Sequence, residues 1–287
     1  FRSGVVEKIE GDGGNDTFNF LGAISVTDVF GDQGDDLFVL NAGVNASLIW
    51  NIAGDDGTDY PSIGNGADTI QIKGVTLRAS SDRNTRPDVN RNGVTSIRAM
   101  NVIELLEGTK LTMYDNAEGS DAMFSFKLGR PAGEPADDKL IIDSTSSLIH
   151  LGKYVQGSVE SNRGAYVNYN VHNNGTIDLG QDAPGTQMTI GGNYFGGGRV
   201  LMSSYLGDDK SLSDRLTIKG NVSGTTTLRR IEAGLARREP RGSLGFPRIS
   251  SGGRSALHSV RWRTGPVLPR CGAPPGDGAP PSPTAAE

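Results

Sequence analysis

Residues 175–227, GTIDLGQDAPGTQMTIGGNYFGGGRVLMSSYLGDDKSLSDRLTIKGNVSGTTT, decide the fold. Short alternating runs such as MTI at 188–190, RVLM at 199–202 and RLTI at 215–218 each close on Gly, Asp or Asn. Alternation with such stops predicts strands joined by tight turns. The glycines at 191–192 and 196–198 and the GDD at 207–209 supply the positive φ angles that turns need. No ten-residue window repeats apolar residues at three and four, so a helix is not expected here.

The upstream chain has the same rhythm. FNF at 18–20, LFVL at 37–40, SLIW at 47–50, TIQI at 69–72 and VTL at 75–77 follow turn signals, and further short runs continue to 176–179. IRAMNVIELLEGTKLTM at 97–113 nearly fits a helical spacing, but the Glu107-Gly108 pair interrupts it and strand-turn-strand is the better reading. Gly reaches 41 of 287 residues, roughly twice the average usage of ~7%, and aromatics are 6%. So thin a core suits a solenoid, in which each coil buries a few inward side chains and stacking joins them.

The order Gly-x-Ile-Asp-Leu, then Thr-Ile-x-Gly-x-Tyr-x-Gly, then Leu-Gly-Asp-Asp-x-Ser-x-Ser-Asp-x-Leu-x-Ile-x-Gly-x-x-Ser-Gly-x-Thr resembles the C-terminal passenger region of pertactin-like bacterial autotransporters. The matching positions are Gly175, Ile177, Asp178, Leu179, Gly192, Tyr194, Gly196, Leu206, Gly207, Asp208, Asp209, Ser211, Ser213, Asp214, Leu216, Ile218, Gly220, Ser223, Gly224 and Thr226. The resemblance implies a right-handed parallel β-helix and a surface-displayed or secreted passenger of a Gram-negative bacterium. It also implies an autochaperone role for this end, with Tyr194, Phe195, Leu201, Leu206, Leu216 and Ile218 as core and Asp208, Asp209 and Asp214 as turn and cap residues. The expected organisation is β-helix coils over 1–185, eight or nine of them at ~20 residues each by the repeat logic. An autochaperone-like β cap follows over 186–227, then a tail over 228–287.

The sharpest local motif lies near the start. GDGGNDTF at 11–18 and GDQGDDLF at 31–38 fit the Gly-rich nonapeptide of calcium-binding β-rolls; GDDGTD at 54–59 and GNGADTI at 64–70 are degraded copies. These loops resemble those of RTX proteins. Copies twenty and twenty-three residues apart imply one loop per coil, stacked ~4.8 Å apart on one edge. Asp12, Asp16, Asp32, Asp35, Asp36, Asp55, Asp59 and Asp68 would then form a ladder of like charges, and Ca2+ would relieve their repulsion with oxygen ligands in loose geometry. The other reading is turns alone, since Asp and Asn before Gly are common turn formers.

Residues 1–227 carry 18 Lys plus Arg against 29 Asp plus Glu, which argues against nucleic-acid binding. The three histidines are isolated, no zinc pair or nucleophile elbow is present, and the single cysteine, Cys271, has no partner. The rival to a binding scaffold is a calcium-dependent β-helical enzyme acting on polysaccharide, for which Asp82, Arg83, Arg86, Asp88 and Arg91 would supply the charges. All five lie in one polar loop, and a non-enzymatic adhesin or interaction scaffold is the expectation, with an unidentified host surface or matrix molecule as partner meeting protruding loops such as 80–93. The tail has ten Arg, no Lys and nine of the fourteen prolines, reading as a shifted frame or a disordered extension. No outer-membrane barrel strand and no secretory leader is legible, so anchor and export signal are expected outside these residues.

Overall fold

The alternation seen in the sequence becomes three parallel faces wound around one core. The computed structural model describes residues 1–55, 66–80, 93–113, 124–129, 137–150, 164–180, 184–205, 213–233 and 256–261. The first face stacks β2 (Thr17–Phe20), β4 (Leu37–Leu40), β6 (Thr69–Lys73), β9 (Val102–Leu106), β12 (Lys139–Ile142), β15 (Asn170–Asn173), β18 (Tyr194–Gly196) and the start of β21 (Val222–Ala233). Every pairing on this face is parallel and in register.

The second face carries β1 (Gly4–Glu10), β3 (Ile24–Phe30), β5 (Ile49–Ala53), β7 (Thr76–Ser80), β8 (Val94–Arg98), β10 (Lys110–Met113), β13 (Ser147–His150), β16 (Thr176–Asp178), β19 (Arg199–Tyr205) and the rest of β21. Here β8 slips between β5 and β7, so the stacking order departs once from chain order. The third face is β11 (Phe124–Gly129), β14 (Gly164–Asn168), β17 (Gln187–Ile190) and β20 (Arg215–Ile218). A 3-10 turn over Ala46–Leu48 is the one helical element among the described residues.

Successive side chains on a strand point to opposite faces, so each strand sends alternate residues inward. In-register stacking turns these into continuous rows. Phe18, Phe38, Ile70, Ile103, Leu140, Val171 and Tyr194 form one row and Leu77, Leu111, Leu148, Ile177 and Val200 another, all buried. The Phe18 and Phe38 rings stack at 4.8 Å and 8°. Full burial of such a side chain contributes about 1.5–3 kcal/mol, so these rows, repeated coil after coil, supply the core that a 6% aromatic content left in question.

The coils are longer than the expected ~20 residues. Equivalent rungs of the first face lie 20, 32, 33 and 37 residues apart going up from Asp16, and 23 and 28 apart near the C-terminal end. Six first-face strands therefore fall within 1–185, in place of eight or nine coils. Strand length is set by the core, whereas the connecting loops are free to lengthen at little entropic expense.

The strand pattern also continues past the expected break after Thr227. β21 runs to Ala233 because Thr227 to Ala233 find a ready template in β19, from Arg199 to Tyr205. β22 (Ala256–Arg261) then pairs antiparallel with Thr225 to Arg230. The rest of the tail lies outside the described residues.

Candidate functional site

The Gly-Asp loops stack as expected, and the stacking shows what their residues do. Asp12 and Asp32 occupy equivalent left-handed positions, φ 64° and 67°, a region that Asp tolerates better than most residues. The backbone N–H of Asp12 donates to Asp32 Oδ2 at 3.3 Å. Asn15, Asp35 and Ala67 form a second column, in which Asp35 N donates to Asn15 Oδ1 and Ala67 N to Asp35 Oδ1. The third and most buried column is Asp16, Asp36 and Asp68. Asp16 N donates to Asp36 Oδ1 at 2.8 Å, Asp36 N to Asp68 Oδ1 at 3.0 Å, and Asp68 N to Asn101 Oδ1 at 2.9 Å.

The Asp36 and Asp68 carboxylates therefore each satisfy a backbone donor of the coil beneath, at the point where the chain turns into a first-face strand. The other oxygen explains the glycines. A Cβ on Gly31 would run into Asp36 Oδ2, one on Gly54 into Asp68 Oδ2, and one on Gly11 would meet Asp16 Oδ2 at 2.8 Å. The first Gly and the last Asp of each loop are thus one packing unit. Asp36 Oδ2 and Asp68 Oδ2 are buried and find no hydrogen-bond partner among the described residues.

The electrostatics follow from that burial. Desolvation raises the Asp36 carboxyl above its ordinary range, opposed by the Asp16 N–H and reinforced by Asp16, Asp32 and Asp35. Asp68 is pushed up to about 7, chiefly by burial, with the Asp36 N–H opposing and the charges of Asp36, Asp55 and Asp35 adding to the rise. Burial also raises Asp32.

The ladder was expected to run from Asp36 to Asp59. Its third rung is Asp68, because the 32-residue step brings that residue into register; Asp59 lies outside the described residues. Asp55 is buried at the end of β5. Over the described part of the loops Asp36 and Asp68 each give one carboxylate oxygen to a backbone N–H and turn the other towards a glycine. No group of three or more His, Cys, Asp or Glu is arranged to hold a metal ion among the described residues.

Sequence reasoning missed that the column of Asp16, Asp36 and Asp68 continues to Asn101 and Asp138, and that a separate amide column, one residue further along the strands, stacks Asn170, Asn193 and Asn221. Asn101 Nδ2 donates to Asp138 Oδ1, Asn193 N and Nδ2 both donate to Asn170 Oδ1, and Asn221 N donates to Asn193 Oδ1. An Asp or Asn at the entrance of each first-face strand was the available signal. It is hidden by unequal loop lengths.

In the last coils the core itself turns polar. Asn173 is fully buried, and its Nδ2 donates to Tyr194 Oη at 3.0 Å and to the Arg199 carbonyl at 3.3 Å; Tyr194 Oη lies 3.1 Å from Thr226 Oγ1. Gly196 is required because a Cβ there would strike Thr226 Oγ1, and Gly220 because one would meet the Gly192 carbonyl at 2.5 Å. Leu216 and Ile218 pack against the core while partly exposed. Phe195 is 40% exposed, contrary to its expected place in the core, and stacks on His172 at 4.4 Å outside the coil. Tyr194 points inward, so its neighbour must point out. For the same reason Val200 is the buried residue and Leu201 is not. Leu206, Gly207, Asp208 and Asp209 lie outside the described residues, as does the 81–92 part of the loop expected to meet a partner.

Asp214, 5% exposed, is the best-connected residue of this end. Its Oδ1 accepts from the N–H groups of Gly185 at 3.0 Å and Thr186 at 2.9 Å, its Oδ2 accepts from Ser203 N at 2.5 Å, and its own N–H donates to the Ser203 carbonyl at 2.9 Å. Burial raises its carboxyl, and the three backbone donors oppose the rise.

The described residues thus form a parallel β-helical solenoid whose final coils carry this glycine-and-aspartate framework. Residues 158–236 match the family model described as Autochaperone Domain Type 1. Over 58 residues the chain is 50% identical to "Uncharacterized protein YuaQ" of Escherichia coli K12, covering 20% of this chain and 4% of that protein. It is 41% identical over 63 residues to "Probable autotransporter YfaL" of the same organism, covering 22% of this chain and 5% of the relative. It is 47% identical over 55 residues to "Adhesin BmaC autotransporter" of Brucella suis, covering 19% and 2%. The chain thus spans a small fraction of the curated relatives it matches. No solved structure matches it. These residues are a passenger region of an autotransporter, and 158–236 are its autochaperone-type part.

Proposed function

We propose that this chain is a non-enzymatic passenger segment displayed at, or released from, the surface of a Gram-negative cell. In this reading its coils form a stiff scaffold for contact with a host surface or matrix molecule, and its last coils promote folding of those before them. The observation that carries the reading is the uninterrupted first-face ladder of eight strands, whose C-terminal end coincides with the autochaperone match. An open solenoid end exposes unpaired strand edges, and a module with its own turns and polar core suits that position. One of the relatives is named an adhesin, which supports the binding side of the reading.

Two assays test it. Immobilised chain is expected to bind at least one purified matrix protein or host-cell surface saturably, with binding abolished by heat denaturation. An eliminase assay on uronate polymers with millimolar Ca2+ is expected to give no unsaturated product. Absorbance from that product would overturn the non-enzymatic reading, and absence of saturable binding across matrix proteins and cells would remove the adhesin role.

A further inference from the structure

We infer that Asp214 is the clasp of the terminal coils, and that its backbone hydrogen bonds form in the rate-limiting step of folding, so that coils far upstream wait on them. The inference deepens the folding role proposed above and rests on it. One buried carboxylate joins three separate pieces of chain: the entry to β17 at Gly185 and Thr186, the body of β19 at Ser203, and the entry to β20 at Asp214 itself. Ser203 Oγ extends the connection by donating to the Gly180 carbonyl at 2.9 Å.

The order of assembly follows from sequence separation. Ser203 and Asp214 are 11 residues apart, and their closure is local, reinforced by the antiparallel bridge between Ser204 and Ser213. Once that turn exists, the carboxylate presents a free oxygen to Gly185 and Thr186, 29 and 28 residues back. The rungs from Asp36 to Asp138 close over 32, 33 and 37 residues and follow the clasp, whereas the first rung, Asp16 to Asp36, closes over 20 and does not wait on it. Shorter closures form before longer ones because less chain entropy is lost before the first contact is made.

The clasp also sets register. Gly185, at φ 119°, holds a backbone that other residues rarely adopt, and it delivers two consecutive N–H groups to one oxygen. Immediately after these groups β17 pairs with β20, Gln187 opposite Arg215 through Ile190 opposite Ile218. A slip of one residue would turn Met188 and Ile190 outward. Asp214 is therefore a positioning residue for the third face, acting through the backbone of its neighbours.

The test follows refolding of the full chain after dilution from denaturant. In a Trp262→Phe background the remaining tryptophan is Trp50, in β5, whose pairing with β8 sets Asn51 opposite Ser96 and so depends on a closure longer than those of the clasp. Asp214→Asn is expected to slow refolding seen by Trp50 at least tenfold while changing the unfolding rate less than twofold. Ile190→Ala, which thins the core of the same coils, serves as the reference for the folding role itself and is expected to slow refolding as well. Unchanged refolding with faster unfolding in Asp214→Asn overturns the clasp. If Ile190→Ala also leaves refolding unchanged, the folding role falls with it; if Ile190→Ala alone slows refolding, only the clasp fails. Should Asp214→Asn not fold, pulsed hydrogen exchange on the unsubstituted chain decides. The Gly185, Thr186 and Ser203 amides are expected to gain protection before those of Asp36 and Asp68, and later protection overturns the inference.

Discussion

The first face is built twice, once with carboxylates and once with amides. From Asp16 to Asp68 carboxylates stack two residues before the inward apolar row, and from Asn170 to Asn221 amides stack one residue before it. The direction of donation differs as well. In the column from Asp16 to Asp68 a backbone N–H reaches up to the side chain of the following coil, whereas in the column from Asn170 to Asn221 it reaches back to the preceding one. An amide can donate and accept, so Asn170 Oδ1 receives a backbone and a side-chain donor and Asn193 Oδ1 a backbone donor, with no charge to desolvate. A stacked carboxylate only accepts, and burying it raises its pKa. The acidic half compensates with apolar rows that include stacked Phe18 and Phe38; the amide half spends part of its core on the Asn173, Tyr194 and Thr226 network.

The largest effect should come from removing that apolar support. Phe38→Ala takes out a fully buried ring in the acidic half and is expected to cost about 3–5 kcal/mol, measured by equilibrium denaturation. The parallel change in the amide half, Asn173→Ala, leaves two buried groups short of a donor and is expected to cost about 1–3 kcal/mol. If the two losses are equal, packing and hydrogen bonding do not divide between the halves as described.

The titration of Asp68 sharpens the contrast. Its folded value of about 7 lies above the ordinary 3.8, so the folded state holds a proton that the unfolded state has released. Stability should therefore rise as pH falls from about 8 towards 4 and level off below that. Asp68→Asn, which extends the amide already used at Asn101, should flatten this slope and raise the melting temperature at pH 8 more than at pH 5. A slope unchanged by the substitution would break the distinction between the two ladders. Asp143 should act in the opposite sense. Burial opposes its charge, but bonds from Ser146, the Glu107 N–H and Thr145 outweigh it and lower the carboxyl to about 2. Its contribution is present above pH 4 and is lost as pH falls towards 2.

Gly31→Ala places a Cβ against both the Asp36 carboxylate and the Gly54 carbonyl, and a loss of about 1–3 kcal/mol is expected from such overpacking. Gly13→Ala, where the added Cβ meets nothing within 4 Å, is the matched control. The smallest effect is expected from Ca2+. With Asp36 and Asp68 each holding a backbone N–H, millimolar Ca2+ should leave the melting temperature unchanged. A rise would mean that the loops, including the part around Asp59, bind the ion that the RTX resemblance implied.

The alternation of apolar residues, the Gly and Asp punctuation and the thin aromatic content were sufficient to specify short stacked strands around a narrow core, and the motif at 175–226 carried the resemblance that implied parallel coils and an autochaperone part, which the family match extends to 158–236 from the expected 186–227. Those features act within one strand or one turn, over the few residues that φ, ψ and side-chain direction couple. Which coil lies on which was decided only by the tertiary structure. Asp68 stands above Asp36, Asn101 above Asp68, and β8 enters between β5 and β7, because surface loops vary from coil to coil without disturbing the strands. The outward turn of Phe195, the extension of β21 to Ala233 and the convergence of Gly185, Thr186 and Ser203 on Asp214 belong to the same category. Each depends on a neighbour that lies far away in the chain, and its position is settled when the coils close on one another.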